Sequence, residues 1–188
     1  MKNAFAEAIE ASPIIGAVKS TQGLHRCLTS EVGIIFILYG DICSIGGIVD
    51  EVKAAGRLAV VHMDLINGLA AKEIAVDFIR EYTRADGIIT TKAPLIRRGR
   101  ELGLATVQRF FAIDSLAYEN IPKQIAAGKP DVIEVLPGLM PKVMKRLTQT
   151  CSVPIIAGGL ITDREDVIAM LEAGAAAIST THEETWFL

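Results

Sequence analysis

The sequence contains no apolar stretch long enough to cross a bilayer. Its longest apolar run, residues 32–39, has eight residues, whereas a membrane-spanning helix needs about 20. The segment 4–12 is instead typical of a short amphipathic helix with Phe5, Ala8 and Ile9 on one side. We therefore expect a protein without a membrane partner.

Cysteine is also scarce. Cys27, Cys43 and Cys151 form an odd number, lack the spacing of a metal site and follow no secretory signal. We expect reduced, mostly buried thiols, no resident cofactor or metal, and a cytoplasmic location.

The chain has no overall excess of positive charge, and aromatic residues make up only 5% of it. Its net charge of -3 and the absence of a basic motif interleaved with aromatics argue against a familiar RNA-binding module. Residues 92–150 nevertheless carry a net charge of +5, against -8 for the rest. This segment predicts a basic outer surface suited to a phosphate backbone, and an ordinary solvated helical surface is the alternative. The candidate RNA-contacting residues are Arg97, Arg98, Arg100, Lys142, Lys145 and Arg146.

What the sequence does contain is a repeated pattern of short apolar runs and helical segments. With 188 residues, 51% of them hydrophobic, the chain is predicted to form one domain over residues 1–188. The eight predicted strands are Ile14–Val18, Gly33–Leu38, Leu58–His62, Gly87–Thr90, Ala105–Gln108, Val132–Leu136, Ile155–Ala157 and Ala176–Ser179.

This pattern predicts an α/β fold, a compact TIM-like (β/α)8 barrel with a reduced final helix, because only residues 182–188 follow the last strand. A doubly wound open sheet is the alternative. The N-terminal helix is expected to cover the barrel bottom, and Trp186 and Phe187 to pack on the outer wall. Glycines predicted to cap helix ends, and prolines predicted near helix starts, are Gly56, Gly103, Gly128, Gly174, Pro94, Pro122 and Pro141.

The most informative segment is 153–181, which predicts, in order, a strand, a glycine turn, a helix, a second strand and a turn made of hydroxyl-bearing residues. Gly158 and Gly159 allow backbone amides to approach an anion closely, and Ser179, Thr180 and Thr181 add hydroxyl donors. In a (β/α)8 barrel the loops after strands 7 and 8 meet where phosphate often binds. We predict a phosphate site here; the alternative is a plain tight turn beside a strand end.

Polar residues at other strand ends extend this candidate site. His62 and Asp64 are two residues apart and can face the mouth together, although a core histidine and a helix-capping aspartate are the alternatives. Lys92 offers a positive charge to phosphate unless it is simply solvated. Gln108 and Arg109 point to opposite faces of strand 5.

Glu134 interrupts an apolar strand, where an unpaired charge would be costly. It therefore needs a ligand hydroxyl or a structural ion pair, with Lys92 or Arg109 as the candidate partner. Asp41 and Lys19 complete the predicted ring around the mouth.

Several segments together resemble the family of glycerol-3-phosphate-responsive transcription antiterminators. The segments that carry this resemblance are 62–69, 87–92, 108–115, 130–138, 155–161, 173–175, 179–181 and Trp186. The resemblance implies a regulator that, when loaded with glycerol 3-phosphate, acts on the leader mRNA of glycerol-utilisation genes.

Carried over by position, the resemblance assigns Gly158, Gly159, Thr180 and Thr181 to the phosphate. It assigns the glycerol end to four other residues, His62, Asp64, Gln108 and Glu134, and transfers no catalytic role. The competing hypothesis is a metabolic enzyme of aldolase or isomerase type, in which Lys92 forms a Schiff base. A homo-oligomer is compatible with either function.

Overall fold

The protein folds as eight strands that alternate with helices in a computed structural model that describes residues 2–188, with side chains from residue 4 onward. The strands are β1 Ile14–Val18, β2 Ile34–Ile37, β3 Leu58–His62, β4 Gly87–Thr90, β5 Ala105–Phe111, β6 Val132–Leu136, β7 Ile155–Gly158 and β8 Ala177–Thr180. The helices are α1 Lys2–Ala11, α2 Thr21–Leu28, α3 Ile45–Ala54, α4 Glu73–Tyr82, α5 Ala93–Glu101, α6 Ser115–Gly128, α7 Pro141–Thr150 and α8 Arg164–Glu172, followed by a 3-10 helix, Glu183–Phe187.

All eight strands are parallel and form a closed barrel. Each strand pairs with the next, and β1 closes the barrel by pairing with β8, with Ile14 opposite Ile178. The predicted TIM-like barrel is therefore confirmed, and the short 3-10 helix after β8 is its reduced final helix.

Side-chain alternation divides each strand into an inner and an outer face. Ile15, Phe36 and Val107 belong to the cluster that fills the barrel interior. Their sequence neighbours pack outward under the helices, as Ile35 and Ile37 do. The same alternation decides which polar residues at the strand ends can reach the mouth.

Helix α1 covers part of the barrel bottom, as predicted. Phe5 is buried and packs into the interior cluster. At the other end of the chain, Trp186 is buried against the outer wall and its indole Nε1 donates to the Thr180 carbonyl at 2.9 Å. Phe187 is half-exposed beneath the Arg26 guanidinium, 4.4 Å from its ring centroid.

Beyond one-residue shifts at the ends of β2, β7 and β8, three details differ from the sequence predictions. Strand β5 continues beyond Gln108 to Phe111 because its ladder with β6 runs on through that residue. Pro122 lies inside α6, because that helix already begins at Ser115, capped by Asp114, whose side chain accepts from the Ala117 N–H at 2.7 Å.

The third difference concerns the end of α6. Gly128 is the last residue of the helix, and Lys129 takes the left-handed conformation with φ 53°. The other three predicted glycine caps do have positive φ: Gly56, Gly103 and Gly174.

Among the described residues, every helix is too short or too polar to span a membrane. The three cysteines are free; Cys27 is buried, Cys151 is half-buried and Cys43 is exposed. The expectation of buried thiols is therefore correct for Cys27 and wrong for Cys43, which lies in the turn before α3.

Candidate functional site

A cavity of about 430 Å³ opens at the C-terminal end of the barrel, beside the ends of β5 to β8 and β1. This volume lies within the range of small-ligand sites. Its lining residues are Ala17, Lys19, Leu38, Arg109, Glu134, Leu136, Gly159, Leu160, Ile161, Thr162, Ser179, Thr180, Thr181 and His182. The candidate phosphate residues of β8 and the glycine turn therefore meet in one cavity with Glu134.

Gly159 forms the tight turn at the end of β7. Its φ of 77° lies in the left-handed region, and a Cβ there would lie 3.0 Å from Leu136 Cδ2. The positive φ disfavours a residue with a side chain, and a Cβ would also press on the Leu136 methyl group. The bare backbone leaves room for an anion between this turn and Ser179 and Thr181.

Thr180 braces this turn from behind. Its hydroxyl donates to the Ile161 carbonyl at 2.7 Å and accepts from the His182 backbone N–H at 3.0 Å. The hydroxyl is thus engaged in joining the loop after β7 to the loop after β8. Of the predicted phosphate residues, Ser179 and Thr181 remain the hydroxyl candidates for direct contact.

Glu134 lies at the floor of the cavity and has no exposed surface. One carboxylate oxygen accepts from Arg109 Nε, while Oε1 has no partner among the described residues. A Cβ on Gly158 would lie 2.6 Å from that Oε1. Gly158 is therefore required to make room for Glu134, and it does not line the cavity.

The ion pair anticipated for Glu134 is made with Arg109, not with Lys92. Arg109 and Glu134 stand opposite each other in the β5–β6 ladder, both on the inner face. Because Arg109 neutralises Glu134, Lys19 leaves the cavity with a net positive charge suited to an anion.

Asp64 and Lys92 form a separate cluster on the rim between β3 and β4. The Lys92 ammonium donates to Asp64 Oδ1 at 2.5 Å, and the Thr91 backbone N–H donates to Oδ2 at 2.8 Å. Although burial acts to raise the pKa of Asp64, hydrogen bonds from Lys92, Thr91 and Thr90 lower it below its ordinary value. Neither Asp64 nor Lys92 lines the 430 Å³ cavity.

His62 is buried at the end of β3, with both ring nitrogens lacking a partner among the described residues. It lies two residues after Val60, which belongs to the interior cluster, so the same alternation directs His62 into the barrel. Burial, followed by the nearby positive charge of Arg109, lowers the pKa of His62 to about 4. The imidazole is therefore neutral at physiological pH.

Gln108 lies on the outer face of β5, away from the mouth. It is fully buried, and its Oε1 would lie only 2.4 Å from a Cβ placed on Gly128 at the end of α6. The structure does not bring Gln108 together with Glu134; the inward-facing neighbour Arg109 occupies that place. The signal was in the sequence, since a buried Glu134 needs a cation and Arg109 is the basic residue of the adjacent strand.

His182 also lines the cavity and was not among the candidate residues. It follows Thr181 directly and is placed by the 3-10 helix, where its Nδ1 lies 3.2 Å from the Thr185 hydroxyl. No pattern in the sequence indicates this position, because it depends on how the last segment turns back. Among the described residues, no group of three or more metal-ligating side chains lies close enough to hold an ion.

The predicted basic surface is divided by its contacts. Arg98 pairs with Asp77 at 2.5 Å and with Glu101 at 2.9 Å, which neutralises its charge. Arg97 and Arg100 donate to carbonyls at the end of α6, those of Ala127 and Lys129. In α7, three basic side chains are exposed and form no ion pair within the described part of the chain: Lys142, Lys145 and Arg146.

Comparison with known proteins adds to this geometry. The chain is 43% identical over 180 residues to the protein YgcP of Escherichia coli (strain K12), covering 96% of this chain and 94% of that protein. The glycerol uptake operon antiterminator regulatory protein of Listeria monocytogenes str. 4b F2365 has a similar crystal structure. The TM-score is 0.90 at 32% identity, over 93% of this chain and 95% of that one.

A glycerol uptake operon antiterminator-related protein from Thermotoga maritima MSB8 is similar with a TM-score of 0.81 at 33% identity, over 92% of this chain and 96% of that one. Residues 14–186 match the family described as glycerol-3-phosphate responsive antiterminator. Because this match spans nearly all of the barrel, the chain belongs to the glycerol-3-phosphate responsive antiterminator family.

Proposed function

We propose that the protein binds glycerol 3-phosphate in the 430 Å³ cavity and, in the cytoplasm, acts on the leader mRNA of glycerol-utilisation genes to suppress termination. The observation that carries the ligand half is the meeting of Gly159, Ser179 and Thr181 with Lys19 and Arg109 around one cavity. Small donors and cations in a concave site are what a phosphate dianion requires.

The phosphate would lie between the turn after β7 and the end of β8, where the Gly159 backbone leaves space and Lys19 supplies charge. The glycerol end would then reach Glu134, whose Oε1 is buried and unpartnered. A ligand hydroxyl donating to Oε1 would satisfy that oxygen. This arrangement favours a polyol phosphate over a compound with a second acid group, which Glu134 would repel.

A Schiff-base enzyme is the competing function, and the contacts of Lys92 disfavour it. A Schiff-base lysine attacks as a neutral amine, whereas Lys92 donates to the Asp64 carboxylate at 2.5 Å. Asp64 has a lowered pKa and is therefore ionised at neutral pH, so its carboxylate engages the Lys92 nitrogen as a hydrogen-bond donor. Lys92 also stands apart from the cavity in which the phosphate would bind.

Calorimetry with glycerol 3-phosphate and with glycerol tests the ligand half. We expect binding of the phosphate compound only, because charge-assisted hydrogen bonds supply most of the affinity. Lys19→Met should weaken binding by about 10-fold or more without affecting folding, since Lys19 is exposed. Lys72→Met, at an exposed site before α4, is the matched control and should leave binding unchanged.

Gly159→Asp, which places a carboxylate in the turn, should abolish binding. Equal affinity for glycerol and glycerol 3-phosphate, or an unaltered Lys19→Met variant, would contradict the phosphate site. A borohydride-trapped adduct of Lys92 with dihydroxyacetone phosphate would instead support the enzyme.

The RNA half rests on the family and on the charge of one side of the barrel. The exposed cations of α7, which form no ion pair with residues 4–188, are the part of the basic surface best suited to phosphate-backbone contacts. Arg97 and Arg100 on α5 add charge while they hold the end of α6. Arg98, neutralised by Asp77 and Glu101, is a poor candidate for RNA contact.

A further inference from the structure

Five large apolar side chains are exposed at the C-terminal ends of three neighbouring strands, beside the cavity mouth. They lie at the end of β5, in the loop and the first turn of α6 that follow it, and in the loops after β6 and β7, whose ends adjoin in the barrel. We call them the apolar rim: Phe111 (50% exposed), Ile113 (77%), Leu116 (68%), Leu139 (42%) and Leu160 (69%). Single exposed apolar residues are common, but five on adjoining strand ends are a concentration of the kind that marks a binding surface.

The loops of the apolar rim are joined to one another by backbone hydrogen bonds. The Ala112 N–H donates to the Leu136 carbonyl at 2.8 Å, and the Gly138 N–H donates to the Gly159 carbonyl at 3.0 Å. The rim is therefore a continuous, ordered platform, which lowers the entropy cost of binding a partner.

The side chain of Leu160 is apolar and points outward, although the backbone at this residue is strained. Its φ is 64°, a conformation that disfavours residues with a Cβ, and its side chain is largely exposed. Neither the backbone nor the core of the barrel gains from a leucine here. Leu160 lines the lip of the 430 Å³ cavity, so a contact with a ligand there or with a partner beside it would account for the residue.

The chemistry of the apolar rim fits a protein better than RNA. Proteins that bind RNA bases offer aromatic rings or guanidinium planes, whereas four of the five rim residues are aliphatic. The area also fits. Each side chain leaves on the order of 100 Å² exposed, about 500 Å² in total, close to the apolar share of a standard interface of about 800 Å² per partner.

The charges beside the apolar rim favour a second copy as the partner. A shallow cavity of about 280 Å³ next to Ile113 is lined by acidic Asp114 and Glu119 and by basic Arg146. In a two-fold contact the same patch meets itself, so a patch with an apolar centre and both signs of charge at its edge can be self-complementary. A patch of one charge sign would repel its copy.

We propose that the apolar rim is the interface through which two copies of this chain form a two-fold dimer, with the cavity mouths beside the contact. This inference does not depend on the identity of the ligand.

Sedimentation equilibrium of the full chain tests the dimer. We expect wild type to dimerise, and an Ile113→Lys, Leu116→Lys double variant to have a dimer dissociation constant raised by at least about 100-fold, because two ammonium groups per copy would have to be desolvated. Both positions are exposed, so the melting temperature should stay close to that of wild type.

The matched control is an Ile74→Lys, Tyr82→Lys variant, whose side chains on α4 are 68% and 70% exposed. It should dimerise as wild type does. A monomeric wild type at the highest soluble concentration, or unchanged dimerisation of the rim variant, would overturn the proposal. If wild type is monomeric and the rim variant loses leader-RNA binding, the rim is an RNA surface instead.

Discussion

His62 illustrates how strongly position alters a single side chain. In water a histidine gains a proton near pH 6.5, but the buried site of His62 lowers its pKa to about 4, chiefly through loss of solvation. The imidazole has no hydrogen-bond partner among the described residues. It therefore acts as a neutral polar group in the barrel interior, available to a bound ligand or an ordered water molecule.

The pH dependence of stability should reveal this site. Between pH 6.5 and 4 the unfolded chain binds a proton at His62 and the folded chain does not, so stability falls as the pH is lowered. Over this pH range the free energy of unfolding of His62→Gln should fall by about 3 kcal/mol less than that of wild type, as measured by urea unfolding. Equal pH slopes for wild type and His62→Gln would show that His62 titrates normally when folded.

Individual residues are also where prediction from the sequence was least complete. Glu134 was predicted to need a partner, and the partner is Arg109. Gln108 was a candidate for ligand contact, yet β5 turns it outward. One step along a strand exchanges the two faces, so a register that the sequence does not state decides which neighbour reaches the site.

At the scale of elements, the end of α6 shows two adjacent residues under opposite constraints. Lys129 takes a left-handed conformation that glycine adopts more readily, with φ 53°. Gly128 is helical, but it lies where a Cβ would come within 2.4 Å of Gln108 Oε1. The glycine is therefore needed for space, and the turn is formed by a lysine.

Substitutions at these two residues should change the stability of the protein in opposite directions. Lys129→Gly should stabilise the protein by about 0.5–1 kcal/mol, because it relieves the left-handed backbone. Gly128→Ala should destabilise it by about 1–2 kcal/mol, because the packed Gln108 amide must shift. Urea unfolding measures both changes.

A Gln108→Ala background is the control for the second effect. Without the Gln108 amide, Gly128→Ala should cost much less, giving a coupling energy in the double-mutant cycle. Additive effects of the two substitutions would show that the close approach is not the cause.

The elements themselves were largely predictable because buried parallel strands are nearly continuous apolar runs. All eight predicted strands exist; four have the predicted ends, three differ by one residue at one or both ends, and β5 is longer by three residues. The largest displacement is in β5, where polar Arg109 extends the strand because it faces Glu134 in the next one. Contacts between strands, rather than local composition, set such ends.

At the scale of the whole molecule, charge is distributed by sector. The overall charge of -3 conceals a segment, residues 92–150, with a net charge of +5. The barrel places that segment on consecutive outer helices, α5 to α7. Sequence indicated this sector, but it could not show that Arg98 is neutralised by Asp77 and Glu101 while the cations of α7 remain unpaired within residues 4–188.

The RNA half of the proposed function leads to a prediction about α7. Replacing Lys142, Lys145 and Arg146 with Glu should lower leader-RNA affinity by at least about 10-fold and reduce the salt dependence of binding, because fewer phosphate counterions are released. Glycerol 3-phosphate affinity should stay nearly constant, since none of the three residues lines the 430 Å³ cavity.

The matched control carries the same change of charge on another side of the barrel, at exposed residues in and beside α4. Replacing Lys72, Arg80 and Arg84 with Glu should weaken RNA binding far less. This control lowers the overall positive charge by the same amount but removes no proposed contact with the RNA. Filter binding at two salt concentrations, with saturating glycerol 3-phosphate, measures both variants. If the α7 variant binds leader RNA as tightly as wild type and with the same salt slope, α7 does not contact the RNA. If both variants lose affinity equally, the attraction is general rather than localised on α7.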